Sequence, residues 1–360
     1  MNSTLSVHLA GPDDKDRWDK FVLTHGSFFH RYGWGEVINT TYGHRAIYLY
    51  AERNGEIVGV LPLIDRRSCL LGRALISVGF TVGGGIVVND QDARDALLDR
   101  ALEEARRCGA QYLELRDTPS VKAMGLGEDT ENSIGLVRKD NIYENFSCSL
   151  LVDEAARLNA IPRKKRADVR KAIKHAHGGM LMVETGASAD TFWQGYATAQ
   201  RDHGTPVFPR KWLQLQSAAF GDAMEVTLVR DGAGNIPLAG VVTYYHRDVA
   251  HLYSAFVSPK ARRSHAGDYL YWWMMAHALE CGVRIFDLGR SKVGTGSHAY
   301  KTYWGMEPHP MVYHYKMLNG APLPNVNPKN PKFAAFVSAW RRLPRPIANS
   351  VGPLLAGHFA

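Results

Sequence analysis

CGVRIFDLGRSKVGTGSHAYKTYWG, residues 281–305, is the stretch on which the reading of the fold turns. Its apolar positions Val283, Ile285, Phe286 and Leu288 read as a short buried strand. The same order of helix end, glycine, strand and acid occurs earlier. Cys108-Gly109-Ala110-Gln111-Tyr112-Leu113-Glu114-Leu115 aligns with Cys281 to Leu288 and puts Glu114 in register with Asp287. A self-match at long period changes the fold reading, so the flanking elements matter. Upstream of residue 281 come strands at Glu225–Arg230, Leu238–Tyr245 and Val249–Phe256, a turn at Asp231–Asn235, and a helix from Gly267 to Cys281. Upstream of residue 108 come strands at Tyr48–Arg53, Ile57–Ile64 and Leu75–Phe80, a hairpin turn at Asn54-Gly55, and a helix from Asp92 to Cys108. A first strand and a helix over Asp14–Leu23 precede these, and Gly83-Gly84-Gly85 leads into a short strand, Ile86–Val88. The matched order predicts two related α/β (α+β) domains.

Beyond Leu288 the predicted strand opens into Gly289-Arg290 and a loop with Gly294, Gly296 and Ser297, followed by Tyr300, Lys301, Tyr303 and Trp304. Ligands of α/β sheets sit beyond the carboxyl ends of strands, so chemistry is expected here. Arg290, Ser291, Lys292, Gly294, Gly296 and Ser297 are the candidates for anchoring a phosphate or carboxylate. Asp287, near the strand end, is a candidate proton acceptor, although its repeat partner Glu114 reads equally as a structural acid. Trp304 suits stacking on a sugar or base, or a place in the core. His203 and Thr205, flanking Gly204, complete the substrate-binding set.

A chain of 360 residues is long enough for two cores. The net charge of +8 favours anionic partners without choosing between nucleic acid, phosphorylated substrate and membrane. Cys69, Cys108, Cys148 and Cys281 have no C-x-x-C spacing, so neither a zinc site nor a disulfide framework is expected, and no bound cofactor. With no membrane-length apolar run and no signal-like start, the expected location is cytoplasmic.

Between the predicted domains, residues 162–178 read as a helix opened by Pro162 and closed by Gly178. Its apolar stripe is Val169, Ala172, Ile173 and Ala176, and Arg163, Lys164, Lys165, Arg166, Arg170, Lys171 and Lys174 cover most of the rest. Such a face is either solvated or a seat for phosphate or nucleic acid. The end of the chain reads as a proline-rich linker (Pro322, Pro324, Pro328, Pro331), then a helix over Lys332–Leu343 with Phe333, Phe336, Val337 and Trp340 on one side. Pro344 and Pro346 break it before an apolar segment, Ile347–Phe359. This tail either packs on the body or lies at the inner-membrane interface. The expected boundaries are 1–150, 151–320 and 321–360.

Gly204-Thr205-Pro206-Val207-Phe208-Pro209-Arg210, Arg290-Ser291-Lys292, Gly294-Thr295-Gly296, Tyr300-Lys301 and Trp304-Gly305-Met306-Glu307-Pro308 together resemble the FemAB family. In the first half, His30, Trp34, Tyr42-Gly43-His44, Gly59–Leu63 and Gly83-Gly84 extend the resemblance, which is strongest to the subgroup associated with exosortase and PEP-CTERM systems. The resemblance implies two tandem GNAT-like (Gcn5-related N-acetyltransferase) domains, each a mixed twisted sheet flanked by helices. It also implies transfer of an acyl or aminoacyl group to an amine of a cell-envelope or exopolysaccharide precursor. Such transfer needs a proton acceptor, a stabilised oxyanion and a proton for the leaving group. Asp287 fits the first role, backbone amides of splayed strands or Lys301 the second, and Tyr300 or Tyr303 the third. The implied donor is aminoacyl-tRNA or acyl-CoA, and the implied partners are an anionic glycan precursor and tRNA. Ordinary GNAT enzymes hold the CoA pyrophosphate on an R/Q-x-x-G-x-G/A loop opening a helix. Here Arg262–Leu270 matches it only at Arg263 and Gly267, and Asp268 places a negative charge there. Arg163, Lys164, Arg166, Arg170, Arg263 and Gly267 are thus the donor or anion-binding candidates. Two other readings stay open: a non-catalytic module binding a nucleotide-linked glycan, and an acyl-CoA-dependent N-acetyltransferase.

Overall fold

The computed structural model describes residues 4–117, 134–320, 323 and 331–358. The chain divides into two compact units. Unit 1 is Met1–Tyr143 with Pro310–Val326 and Gly357–Ala360; unit 2 is Glu144–His309 with Asn327–Ala356.

In unit 1 the elements are β1 (Leu5–Leu9), α1 (Lys15–His25), α2 (Gly33–Tyr42), β2 (Arg45–Arg53), β3 (Glu56–Ser68), β4 (Gly72–Ser77), β5 (Val87–Val88), α3 (Gln91–Arg107), β6 (Tyr112–Arg116) and β7 (Val137–Lys139). They are joined by β15 (Tyr313–Met317), and the sheet order is β1-β2-β3-β4-β6-β15-β7, with β5 on β3. The hairpin between β2 and β3 turns at Asn54 and Gly55, with φ of 53° and 82°. Positive φ at both central residues matches the twist of the flanking strands, which is why Asn-Gly works there. Helix α3 starts on Asp90, whose carboxylate accepts from Ala93 N at 2.9 Å. It buries Leu97, Ala101, Leu102 and Ala105 against Leu49, Leu61, Leu75 and Leu113 of the sheet.

Unit 2 contains β8 (Tyr143–Ser149), α4 (Glu154–Ala160), α5 (Arg163–His177), β9 (Leu181–Glu184), α6 (Ala189–His203), α7 (Arg210–Phe220), β10 (Met224–Asp231), β11 (Pro237–His246) and β12 (Val249–Val257). It continues with α8 (Ala266–Glu280), β13 (Ile285–Lys292), α9 (Gly296–Tyr303), β14 (Glu307–Pro310), α10 (Pro331–Arg342) and α11 (Arg345–Ala356). The sheet order is β14-β8-β13-β12-β11-β10-β9. Helix α8 is apolar around most of its circumference, as a helix covered on two sides must be. Leu270, Met274, Met275 and Ala278 belong to the core with Leu252, Phe286 and Leu288, and Val169 of α5 joins the same cluster.

The mixed twisted sheets with flanking helices match the expected fold class, but the boundaries differ. Residues 310–326 return to unit 1 because β15 pairs with β6 from Tyr313↔Arg116 to Met317↔Tyr112. The tail is not a separate module. Helices α10 and α11 fold onto unit 2, with Trp340 buried and the Arg201 guanidinium on α6 donating to Leu343 O at 3.0 and 2.9 Å. The segment after Pro344 continues as a helix, which its prolines concealed. Pro322, Pro324, Pro328 and Phe359, and the side chain of Phe333, lie outside the described residues. Among the described residues no helix is long and apolar enough to cross a membrane.

Candidate active site

Strands β12 and β13 run parallel, in register from Val249↔Ile285 to His251↔Asp287. Past that pair β12 continues to Val257 along β11 and β13 to Lys292, so the two strands part. A bulge helps: Val242↔Ser254 is followed by Thr243↔Leu252, leaving Tyr253 as the extra residue on β12. Ala250, Leu252, Phe286 and Leu288 face the core around α8. By the alternation of strands, His251 and Asp287 face the other way.

The vertex of this opening holds a buried network. Asp287 Oδ2 accepts from His251 Nδ1 at 2.9 Å, while Oδ1 accepts from Asn145 Nδ2 at 3.0 Å and from Gly289 N at 2.7 Å. His251 and Asp287 are 3% and 5% exposed. Burial pushes the Asp287 carboxyl up, but the bonds from His251, Gly289 and Asn145 outweigh it and hold the group below its ordinary value. An ionised carboxylate only accepts, so His251 Nδ1 carries the proton. Gly289 makes the bend that aims its N–H back at Asp287; its φ is 69°.

Lys301, on α9, donates to Gly289 O at 2.8 Å and Arg290 O at 3.0 Å and is 9% exposed. Burial lowers its pKa to about 8; Asp287 opposes that fall and Arg290 adds to it. The expected loop is shorter than the sequence suggested, because α9 starts at Gly296, capped by Thr295 Oγ1 accepting from His298 N at 3.3 Å. Ser291 and Ser297 join their hydroxyls at 2.8 Å, and His298 Nε2 meets Glu144 at 2.7 Å. A side chain added at Gly294 or Gly296 would enter open space. Asp287, Lys301, Arg290, Ser291, Lys292, Gly294, Gly296 and Ser297 therefore gather at the end of β13.

Other expected members stand elsewhere. The Tyr300 hydroxyl points to Asp268 Oδ1 at 3.4 Å, and burial raises its pKa well above the ordinary value, so it is a weak proton donor. Trp304 is 2% exposed, packed on Tyr271 in the core, so it is not an open stacking platform. His203 and Thr205 lie at the C-terminal end of α6, where Arg341 donates to His203 O at 3.3 Å and Gly204 abuts Val337.

The donor candidates lie where α5 meets the start of α8. Lys165 is buried and ion-paired with Asp268, which also accepts from His265 Nδ1 at 3.2 Å. The acid that looked like a bare charge is thus neutralised, and it occupies the helix N-terminus that would attract an anion. Gly267 serves packing: a Cβ there would lie 2.9 Å from Val257. Arg166 is bound locally, to Ile161 O and Asn159 Oδ1 at 3.1 and 2.8 Å. Arg163, Lys164, Arg170 and Arg263 are exposed, Lys164 lying 5.5 Å from the Tyr303 ring centroid.

Sequence reading missed His251, Asn145 and Lys165 as site members. A histidine inside the strand Val249–Phe256 was the available signal, but only the register identifies its partner.

Unit 1 repeats the strand geometry without the site. β4 and β6 are parallel from Ala74↔Tyr112 to Ile76↔Glu114, so an isoleucine stands where unit 2 has His251, and Glu114 pairs with Arg116 at 2.7 Å. Past that pair the chain fills its own gap. Arg116 N donates to Ser77 Oγ at 2.8 Å, and a Cβ on Gly85 would lie 2.7 Å from Arg116 O. Val78 and Phe80 take φ of 27° and 68° to place this segment.

A cavity of about 730 Å³ opens at the opposite end of the unit 2 sheet, by Val283. There Glu225 accepts from Tyr245 Oη and His277 Nε2, both at 2.9 Å. Burial and the nearby Glu225 and Glu280 raise the Cys281 pKa, which disfavours a nucleophilic thiolate. Among the described residues no cluster of histidine, cysteine and acids is suited to hold a metal.

Two sheet-and-helix units, the second with its central parallel strands parted, define a tandem GNAT-like fold. Residues 163–302 match the acetyltransferase (GNAT) domain family. Among solved structures, FemX is similar at a TM-score of 0.69 and 17% identity, over 87% of this chain and 98% of that one. The C-terminal domain (DUF2156) of a putative lysylphosphatidylglycerol synthetase from Agrobacterium fabrum is similar at 0.55 and 15%, over 84% and 92%. A tandem GNAT protein from the clavulanic acid biosynthesis pathway gives 0.54 and 15%, over 89% and 100%. Comparison with curated proteins finds no match. The domain match and the shared fold support an acyl or aminoacyl transferase.

Proposed function

We propose that this protein transfers an aminoacyl group to an amine of an anionic cell-envelope or exopolysaccharide precursor, with the chemistry in unit 2. The observation that carries the reading is the parting of β12 and β13 at the buried His251–Asp287 pair, with the Lys301 ammonium beside it. In this reading Asp287 is a positioning residue rather than the base, because His251, Asn145 and Gly289 already donate to its oxygens. It fixes the His251 tautomer and leaves Nε2 as the proton acceptor. The acceptor amine attacks the acyl carbon and passes its proton to His251. The bond from carbon to the donor oxygen then breaks, and the imidazolium returns that proton to the leaving alkoxide. Lys301 uses two of its three N–H donors on Gly289 O and Arg290 O, and the third stabilises the oxyanion. Arg290, Lys292 and the start of α9 hold the anionic part of the acceptor.

Two observations favour a charged tRNA over acyl-CoA as donor. Asp268 and Lys165 fill the position where a pyrophosphate would sit, and exposed Arg163, Lys164, Arg170 and Arg263 suit a phosphate backbone. FemX and a lysylphosphatidylglycerol synthetase share the fold, and the resemblance to the exosortase- and PEP-CTERM-associated subgroup turns the acceptor toward exopolysaccharide.

The test is thermal denaturation with acyl-CoAs, charged tRNAs and nucleotide-linked sugars, followed by assay of transfer. A ligand at a hundred times its dissociation constant adds about 2.7 kcal/mol, a shift of several degrees. Stabilisation by charged tRNA, with acylated product, is the expected result. A shift with acyl-CoA instead supports an N-acetyltransferase. Stabilisation by a sugar nucleotide without product formation supports a non-catalytic binding module.

A further inference from the structure

The basic, apolar end of the chain is not absorbed by the transferase reading. Helix α11 buries Ala348, Gly352 and Ala356, small residues at four-residue spacing, and a Cβ on Gly352 would lie 3.0 Å from Val207 N. Its other side carries Ile347, Val351 and Leu354, which are 49%, 37% and 74% exposed. At about 100° per residue these three fall within roughly 60° of arc, one continuous stripe. Among the described residues Leu354 is the most exposed large apolar side chain. Just before the stripe stand Arg341, Arg342 and Arg345, all exposed, and the sequence from 331 to 358 contains no Asp or Glu.

We infer that α11 is a docking surface for an anionic lipid bilayer, its stripe in the acyl boundary and the arginines on phospholipid headgroups. Charge selects this occupant. A two-fold pairing of identical chains brings the same patch against itself, and residues 331–358 offer no acid of their own to meet the arginines of a second copy. An anionic headgroup layer complements both features, at roughly 1 kcal/mol per arginine. Three side chains and three cations give reversible adsorption, not insertion.

The experiment is sedimentation of the full chain with vesicles of phosphatidylglycerol and phosphatidylcholine, or phosphatidylcholine alone, at low and high salt. Expected is binding to the anionic vesicles that falls with salt. Ile347→Gln/Val351→Gln/Leu354→Gln, all exposed positions, should lower it at least tenfold with the melting temperature unchanged. Arg342→Gln/Arg345→Gln should lower it roughly thirtyfold. Three results would overturn the inference. The first is no binding of the wild type at low salt. The second is undiminished binding by the stripe variant, with loss instead in Arg170→Gln/Lys171→Gln/Lys174→Gln, which would assign adsorption to α5. The third is a stripe variant that changes only the sedimentation-equilibrium mass, which would assign the surface to a second copy.

Discussion

Replacing Asp287 by asparagine isolates the His251–Asp287 bond. The introduced amide keeps one oxygen, which can go on accepting from Gly289 N and Asn145 Nδ2, at 2.7 and 3.0 Å in the wild type. Its nitrogen then faces His251 Nδ1, and two donors meet unless the imidazole moves its proton to Nε2. One buried charge-assisted bond is lost, worth about 1.5–3 kcal/mol. At about 2–4 °C per kcal/mol for a unit of this size, the melting temperature should fall by about 3–12 °C. Because the folded carboxyl titrates below its ordinary value, the unfolded chain binds more protons between the two values. The stabilisation is therefore complete above about pH 4 and is lost as pH falls through the folded pKa. The gap between wild type and variant should be full at pH 7 and close in acid. Imidazole ¹⁵N spectra report the tautomer directly: Nδ1–H in the wild type, Nε2–H in the variant. With Nε2 no longer basic, transfer should drop by about 10²–10⁴. An unchanged melting temperature at pH 7, or a wild-type His251 with bare Nδ1, would refute the reasoning.

Lys301→Met should abolish transfer and remove a pH signature. The folded amine titrates near 8, below its ordinary value, so wild-type stability should rise relative to the variant from about pH 8 to 10. Melting curves across that range check it, and transfer should decline as pH passes 8 if the ammonium is the active form. Lys165→Met leaves the Asp268 carboxylate without its cation, though still bonded to His265, and should cost up to about 3–5 kcal/mol, recovered in part by Lys165→Met/Asp268→Asn; urea titration of the four combinations measures the coupling. Gly195→Ala reverses a helix-propensity expectation. Alanine favours a helix interior by about 1 kcal/mol, but its Cβ would lie 2.4 Å from the Phe256 ring. Overpacking costs about 1–3 kcal/mol, so the variant should be less stable by denaturant titration.

The fold was legible wherever periodicity and turn chemistry act locally. The helix predicted over Asp92–Cys108 falls on α3, Gln91–Arg107, and Asn54-Gly55 turns where its residue types require. What escaped the sequence depends on which strands lie side by side. Residues 313–317 fall inside the expected second domain, 151–320, yet the hydrogen-bond ladder of β6 claims them for unit 1. The candidate site shows the same limit. Glu114 and Asp287 occupy equal positions in the repeat, and nothing in either strand separates a structural acid from a functional one. Their partners decide. The third residue of the paired register is Ile76 on β4 but His251 on β12, and that register forms only after folding. The chain beyond each pair completes the difference. In unit 1, Val78 and Phe80 adopt left-handed backbone that their side chains disfavour, so sequence gives no warning that residues 78–85 close the gap. In unit 2, Gly289 bends β13, and its N–H and C=O turn to Asp287 and Lys301. A duplicated sequence thus carries one closed and one open copy of the same strand pair, and the open copy is where a transferase must be tested.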